Sequence, residues 1–99
     1  MVGGPAAAAT KRGDVVVLDH DRWLDTLRGT VKNFSTRPAR DVTVVVRFLD
    51  TKRKVLGTQR VSVGDLKSGD QARFDFSIEE RNRAAASYDF TVHAIWPRQ

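Results

Sequence analysis

From residue 14 onward the hydrophobic positions recur every second residue. Phe74, Phe76 and Ile78 alternate with Asp75 and Ser77, and Tyr88, Phe90, Val92, Ala94 and Trp96 alternate with Asp89, Thr91, His93 and Ile95. Successive side chains of an extended chain point to opposite faces, so each set lines one face of a strand. Val42, Val44, Val46 and Phe48 form a third row, but Val45 and Leu49 make its second face apolar as well. A strand with neighbours on both edges reads this way, which predicts a central position for it. Three further segments complete a set of six: Val15–Leu18; Leu24–Lys32, with Leu27, Gly29 and Val31 in phase; and Val55–Val63, with Val55, Gly57, Gln59, Val61 and Val63 in phase.

Turn residues fall where these strands must end. Asn33 to Pro38 reads as a loop, Asp50 to Lys54 as a short hairpin connection, and Gly64 with the stretch from Lys67 to Asp70 punctuates the approach to the next strand. Short strands at this spacing predict an all-β fold, an immunoglobulin-like antiparallel β-sandwich of six to seven strands. One segment breaks the pattern. Ser77-Ile78-Glu79-Glu80 fits a capping box and Arg81 to Ala86 is rich in helix formers, which predicts a short helical crossover over 78–86.

The N-terminal MVGGPAAAATKRG offers little to bury, so residues 1–13 read as a disordered leader or the remnant of a trimmed longer chain, and 14–97 as a single sandwich domain. Its basic pair follows the alanine run, the reverse of the order in a signal peptide. No apolar run reaches the ~18–20 residues that a membrane-spanning helix needs. The chain has no cysteine, which removes disulfides, thiol catalysis and thiolate metal sites.

Charge changes the picture more. The formal net charge is +5, and the segment from Arg37 to Arg60 carries all of it, with seven basic residues against Asp41 and Asp50. Arg37, Arg40, Lys52, Arg53 and Lys54 are therefore candidate contacts for phosphate, nucleic acid or an anionic lipid surface. Exposed charge that merely keeps a hairpin soluble is the simpler reading. Aromatic residues do not interleave with these cations as a single-strand stacking platform requires. Asp19-His20-Asp21 sets an imidazole beside two carboxylates, but neighbours on a strand face opposite ways, so a solvated turn before Trp23 is expected rather than a metal or catalytic site. His93 falls on the outward phase of its strand. Gly-x-Ser-x-Gly, HExxH, CxxC and phosphate-loop patterns are all absent from the sequence. The reading is a non-enzyme without cofactor or metal.

Several positions have shape-setting chemistry. Gly29 in mid-strand suggests a bulge or the close approach of another segment, and Asn33 suits a left-handed strand end. Asp50 can close its hairpin through the backbone two residues on, and Tyr88 could return its hydroxyl to the backbone in the manner of a tyrosine corner. The series Leu27-x-Gly29-x-Val31-x-Asn33, Val42 to Val46 with Phe48-Leu49-Asp50, Val55-Leu56, Leu66-x-x-Gly69 with Phe74, and Tyr88-x-Phe90-x-Val92 resembles the FxLYD domain of bacterial envelope proteins. It is similar, more loosely, to other immunoglobulin-like bacterial modules. Where the family name asks for Phe, Leu, Tyr and Asp, this chain has Val46, Phe48, Leu49 and Asp50. The resemblance implies a sandwich belonging to a secreted or membrane-anchored protein of the cell envelope, with no catalytic residues to carry over.

Three functions are open on these grounds: a structural or protein-interaction module, an anion binder using the basic hairpin, and a carbohydrate or small-ligand module with Trp23, Trp96 and His20 as its platform. If the strand of Val42 to Leu49 lies at an edge instead of centrally, it offers β-augmentation or dimerisation, with Arg47 as a gatekeeper against aggregation. Partner and oligomeric state are not legible. The inside and outside assignments are testable: Phe74→Ala or Phe90→Ala should cost on the order of 3–5 kcal/mol, while Lys52→Ala with Arg53→Ala should leave a thermal melt nearly unchanged.

Overall fold

The computed structural model describes residues 15–97. The expectation for residues 1–13 lies outside them. Six strands form in order: β1 (Val15–Trp23), β2 (Thr26–Asn33), β3 (Ala39–Leu49), β4 (Val55–Leu66), β5 (Gln71–Ser77) and β6 (Ser87–Ile95). They make two antiparallel three-stranded sheets, β1-β2-β5 and β4-β3-β6, the all-β sandwich that the period of two implies. β3 is central, as its two apolar faces predict, so the edge role considered for it falls away.

The core lies between the sheets. Leu27 and Val31 of β2 and Val42, Val44, Val46 and Phe48 of β3 are fully buried, with Leu66, Phe74 and Ile78 beside them. Gly29 is central to this packing: a β-carbon there would stand 2.4 Å from Phe74 Cζ and 2.7 Å from the Asp19 carbonyl oxygen. The absent side chain lets the Phe74 ring lie across β2, the close approach that a mid-strand glycine suggests. Phe90 faces the same core, its ring centroid 6.0 Å from that of Phe74, but is only half-buried.

The chain changes sheet three times, and two of the changes occur at one end. There the β2–β3 loop and the β4–β5 loop meet at Asn33, which is fully buried. Its Nδ2 donates to the carbonyls of Arg37 (2.7 Å) and Leu66 (3.0 Å), and its Oδ1 accepts from the Ser35 N–H (2.9 Å). The Asn33 backbone N–H donates to Asp70 and its carbonyl accepts from Gly69, which sits at φ +82 in the intervening turn. Asn33 is not among the residues with positive φ. Its side chain, rather than a left-handed backbone, is what this corner requires.

The third sheet change corrects another expectation. The capping box over Ser77 to Glu80 does not form: Ser77 ends β5 paired with Thr26, and only a three-residue 3-10 turn, Glu80–Asn82, follows, with no side-chain cap. Ile78 is drawn into the core, its N–H donating to the Asp25 carbonyl at 2.7 Å. Asn82 is buried against Gly57, where a β-carbon would lie 2.2 Å from Asn82 Oδ1. Burying these side chains holds the segment to a path that a regular helix would not follow.

The Asp50 turn forms as its chemistry implies, whereas Gly64 lies inside β4 rather than between strands. Asp50 Oδ1 accepts from the N–H groups of Lys52 (2.7 Å) and Lys54 (2.9 Å), which closes the β3–β4 hairpin. At the β1–β2 hairpin the strand expected from Leu24 begins at Thr26 instead, and Leu24 occupies the tip at φ 54.

Asn33→Ala would leave the buried Leu66 carbonyl without the Asn33 donor, while the Arg37 carbonyl keeps the Ser35 hydroxyl, and should cost on the order of 3 kcal/mol in a denaturant melt. Gly29→Ala should cost about 1–3 kcal/mol through the clash at Phe74, and Phe74→Ala should exceed Phe90→Ala because Phe90 is only half-buried.

Candidate interaction surfaces

The side chains singled out for chemistry separate onto different parts of the sandwich. Asp19, His20 and Asp21 all lie within β1 rather than in a turn, which extends to Trp23. A bulge between Val17 and Asp19 resets the phase, so that His20 pairs with Gly29 on the core side while Asp19 and Asp21 pair with Thr30 and Arg28 on the outer face. The two carboxylates therefore diverge from the imidazole. Asp21 instead receives Arg28 Nη2 at 2.8 Å across a shallow concavity of ≈ 400 Å³ on the outer face, bordered by Thr30, Arg73 and Asp75. Among the described residues, no three His, Cys, Asp or Glu side chains gather as a metal set.

His20 joins an aromatic seam where β1 meets β6. Its ring centroid lies 4.9 Å from that of Phe90 and 5.3 Å from that of Tyr88, and its Nδ1 stands 3.2 Å from the Tyr88 hydroxyl. The Tyr88 hydroxyl thus reaches a side chain of the opposite sheet, not the backbone as a tyrosine corner would. Burial pushes the Tyr88 hydroxyl above its ordinary pKa, and the charge of Asp21 adds to this while Arg22 opposes it. Tyr88, Phe90, Val92 and Ala94 all face the core yet stay half-buried, because β1 and β6 are only loosely apposed.

The basic residues are divided between the two ends. Arg37 belongs to the Asn33 end, where its guanidinium lies 5.6 Å from the Trp96 ring centroid and Nη2 donates to the Pro97 carbonyl at 2.7 Å. Arg40 sits beside it at the start of β3, whereas Lys52, Arg53 and Lys54 occupy the hairpin at the far end, on the order of 30 Å along the strand. The five cations do not form one site. The same separation divides the carbohydrate platform: Trp96 packs against the core at the Asn33 end, while Trp23 is 62% exposed at the opposite end. His93 is exposed on the outer face, as its phase implies.

Arg47, on that outer face, forks onto Asp89 of β6 with Nε–Oδ1 2.9 Å and Nη2–Oδ2 2.6 Å, and these hydrogen bonds together with the carboxylate charge hold the guanidinium protonated. Two residues that pattern reading passed over, Gln59 and Asn82, fasten the other side of the sandwich. Gln59 Nε2 donates to the Ser77 carbonyl, and Gln59 Oε1 accepts from the Glu79 N–H and from Asn82 Nδ2. Gln59 is the one polar side chain in an inward phase otherwise filled by valine and Gly57, which was the available signal.

Comparison with family models, with curated proteins and with solved structures returned no match.

Tyr88 is the sole tyrosine of the chain, so absorbance at 295 nm reads it directly. Its folded pKa is raised, so the folded state holds the proton more tightly than the unfolded state does. The resulting stability is present below pH ~10 and disappears as pH rises through the folded value. The native chain should therefore titrate above the urea-unfolded chain, and Tyr88→Phe should flatten the alkaline loss of stability; coincident titration curves would contradict the partial burial of the hydroxyl.

Proposed function

We propose that this chain is a non-catalytic protein-interaction module of FxLYD type, an immunoglobulin-like sandwich carried by a secreted or membrane-anchored protein of the bacterial envelope. The strand order supports the immunoglobulin-like reading, since β1-β2-β5 against β4-β3-β6 corresponds to the A-B-E and C′-C-F strands of such a sandwich. The positions that carry the family likeness act on shape: Gly29 admits Phe74, Asn33 and Gly69 join the two loops, and Asp50 closes a hairpin.

The observation that carries the interaction reading is the outer edge of β6, which pairs with no other strand among the described residues. Natural edge strands are protected by bulges, charges or shortness. β1 has its bulge with Asp19, Asp21 and Arg22, β4 is irregular near both ends, and β5 is a seven-residue strand bearing Arg73 and Asp75. β6 pairs with β3 without interruption from Ser87 to His93, and its one formally charged residue, Asp89, is already neutralised by Arg47. Its half-buried inward row of Tyr88, Phe90, Val92 and Ala94 would continue into an added strand.

The strand fits a second copy of itself. Antiparallel pairing about a two-fold axis at Thr91 sets Asp89 opposite the partner's His93, and Phe90 opposite the partner's Val92. Aromatic–β-branched pairs such as Phe90 with Val92 contribute a few tenths to about 1 kcal/mol across strands. Because the chain lacks cysteine, Thr91→Cys should yield a disulfide-linked dimer on mild oxidation, whereas Ser62→Cys on β4 should not. Thr91→Lys, which places two cations at the axis while leaving the exposed monomer face undisturbed, should abolish self-association in sedimentation velocity at unchanged Tm. Equal cross-linking from both cysteine sites would remove β6 as the interface.

A further inference from the structure

The end of the sandwich opposite Asn33 combines exposed apolar side chains with cations that form no ion pair among the described residues. The two hairpins, β1–β2 and β3–β4, share this end. The segment between β5 and β6 links them: Arg22 Nη2 donates to the Arg83 carbonyl at 2.8 Å, Arg83 Nε lies 3.7 Å from Asp25, and the Ala86 N–H donates to the Leu49 carbonyl at 2.8 Å. On one hairpin stand Trp23, 62% exposed, and Leu24, 74% exposed; the other carries Lys52, Arg53 and Lys54 at its tip, followed by Val55 and Leu56 at 50% and 39% exposure.

Leu24 is the sharper observation. It adopts φ 54, a left-handed conformation in which a bulky γ-branched side chain is disfavoured and glycine or asparagine is at home. A hairpin tip selected only for folding would carry one of those residues. Here the chain places leucine at the strained position and gives it almost nothing to pack against. Among the described residues Lys52, Arg53 and Lys54 likewise have no acidic partner within salt-bridge distance; the Asp50 carboxylate accepts from backbone N–H groups instead.

We infer that this end docks on an anionic lipid surface, with Trp23 and Leu24 entering the headgroup region and Lys52, Arg53 and Lys54 supplying the electrostatic attraction. The chemistry of each part suits its place. Tryptophan partitions to the boundary between headgroups and acyl chains, where its ring is apolar and its N–H stays hydrated. A short apolar wedge alone binds a bilayer only marginally, and a neighbouring basic cluster makes the binding stable; near an anionic leaflet each Lys or Arg contributes roughly a fivefold gain in partitioning. Arg37 and Arg40, at the far end, take no part. This surface is separate from the β6 edge, so either assignment can fail without the other.

The test uses vesicles of phosphatidylcholine with 30% phosphatidylserine against vesicles of phosphatidylcholine alone, read by co-sedimentation and tryptophan emission. The chain should sediment with the anionic vesicles, less so as salt rises from about 50 to 300 mM, with an emission blue shift that Trp23→Phe removes. Leu24→Asn should raise or preserve Tm, because asparagine tolerates the left-handed tip, yet weaken vesicle binding at least fivefold. Lys52→Glu with Lys54→Glu should abolish binding at unchanged Tm. Absence of sedimentation with anionic vesicles would overturn the inference. So would binding that leaves Trp23 emission unshifted and survives Leu24→Asn, since that would be charge adsorption without insertion.

Discussion

One buried amide, that of Asn33, holds together the corner on which the sandwich depends. Of the three places where the chain passes between sheets, two adjoin this side chain, and its donors reach a carbonyl in each of them, at Arg37 and at Leu66. Its own backbone is bonded to the Gly69–Asp70 turn. A buried carbonyl without a partner costs the full desolvation of the group, so these bonds are demanded rather than optional. An asparagine suits the place because it offers two donors and an acceptor in one neutral planar group. The shared hub joins the ends of β2 and β4 to the chain just before β3 and β5.

The two long sides of the sandwich are fastened differently. On the β4–β5 side, Gln59 and Asn82 form a polar clasp, admitted by Gly57, that ties β4 to the end of β5 and to the turn after it. On the β1–β6 side the contacts are aromatic, His20 against Tyr88 and Phe90, and among the described residues the His20–Tyr88 hydrogen bond joins the two strands. The aromatic side is the more open one, and it adjoins the edge strand with the fewest protective features. Stability and availability for binding are thus distributed to opposite sides of one small fold. The ends divide in a parallel way: at one, Arg37 is folded onto Trp96 and absorbed by the structure, while at the other Trp23, Leu24 and three cations are exposed.

The sequence by itself determined what depends on near neighbours along the chain. Strand number and the central place of β3 follow from side-chain alternation over a few residues, and the Asp50 turn from a carboxylate reaching backbone two and four positions on. The tertiary structure decided what depends on where the sheet changes deliver each strand. Asn33 does end β2, but its role as a buried side-chain hub rather than a left-handed terminus depends on Leu66 and Asp70, more than thirty positions away. Tyr88 finds His20 rather than backbone for the same reason, and Arg37 is parted from Lys52 by the length of a strand that the linear charge count cannot register. The segment after Ser77 had local helix signals, but burying Ile78 and Asn82 outweighed them. Periodicity is a local property and survives without the fold; convergence of side chains is non-local, and only the packed sheets bring it about.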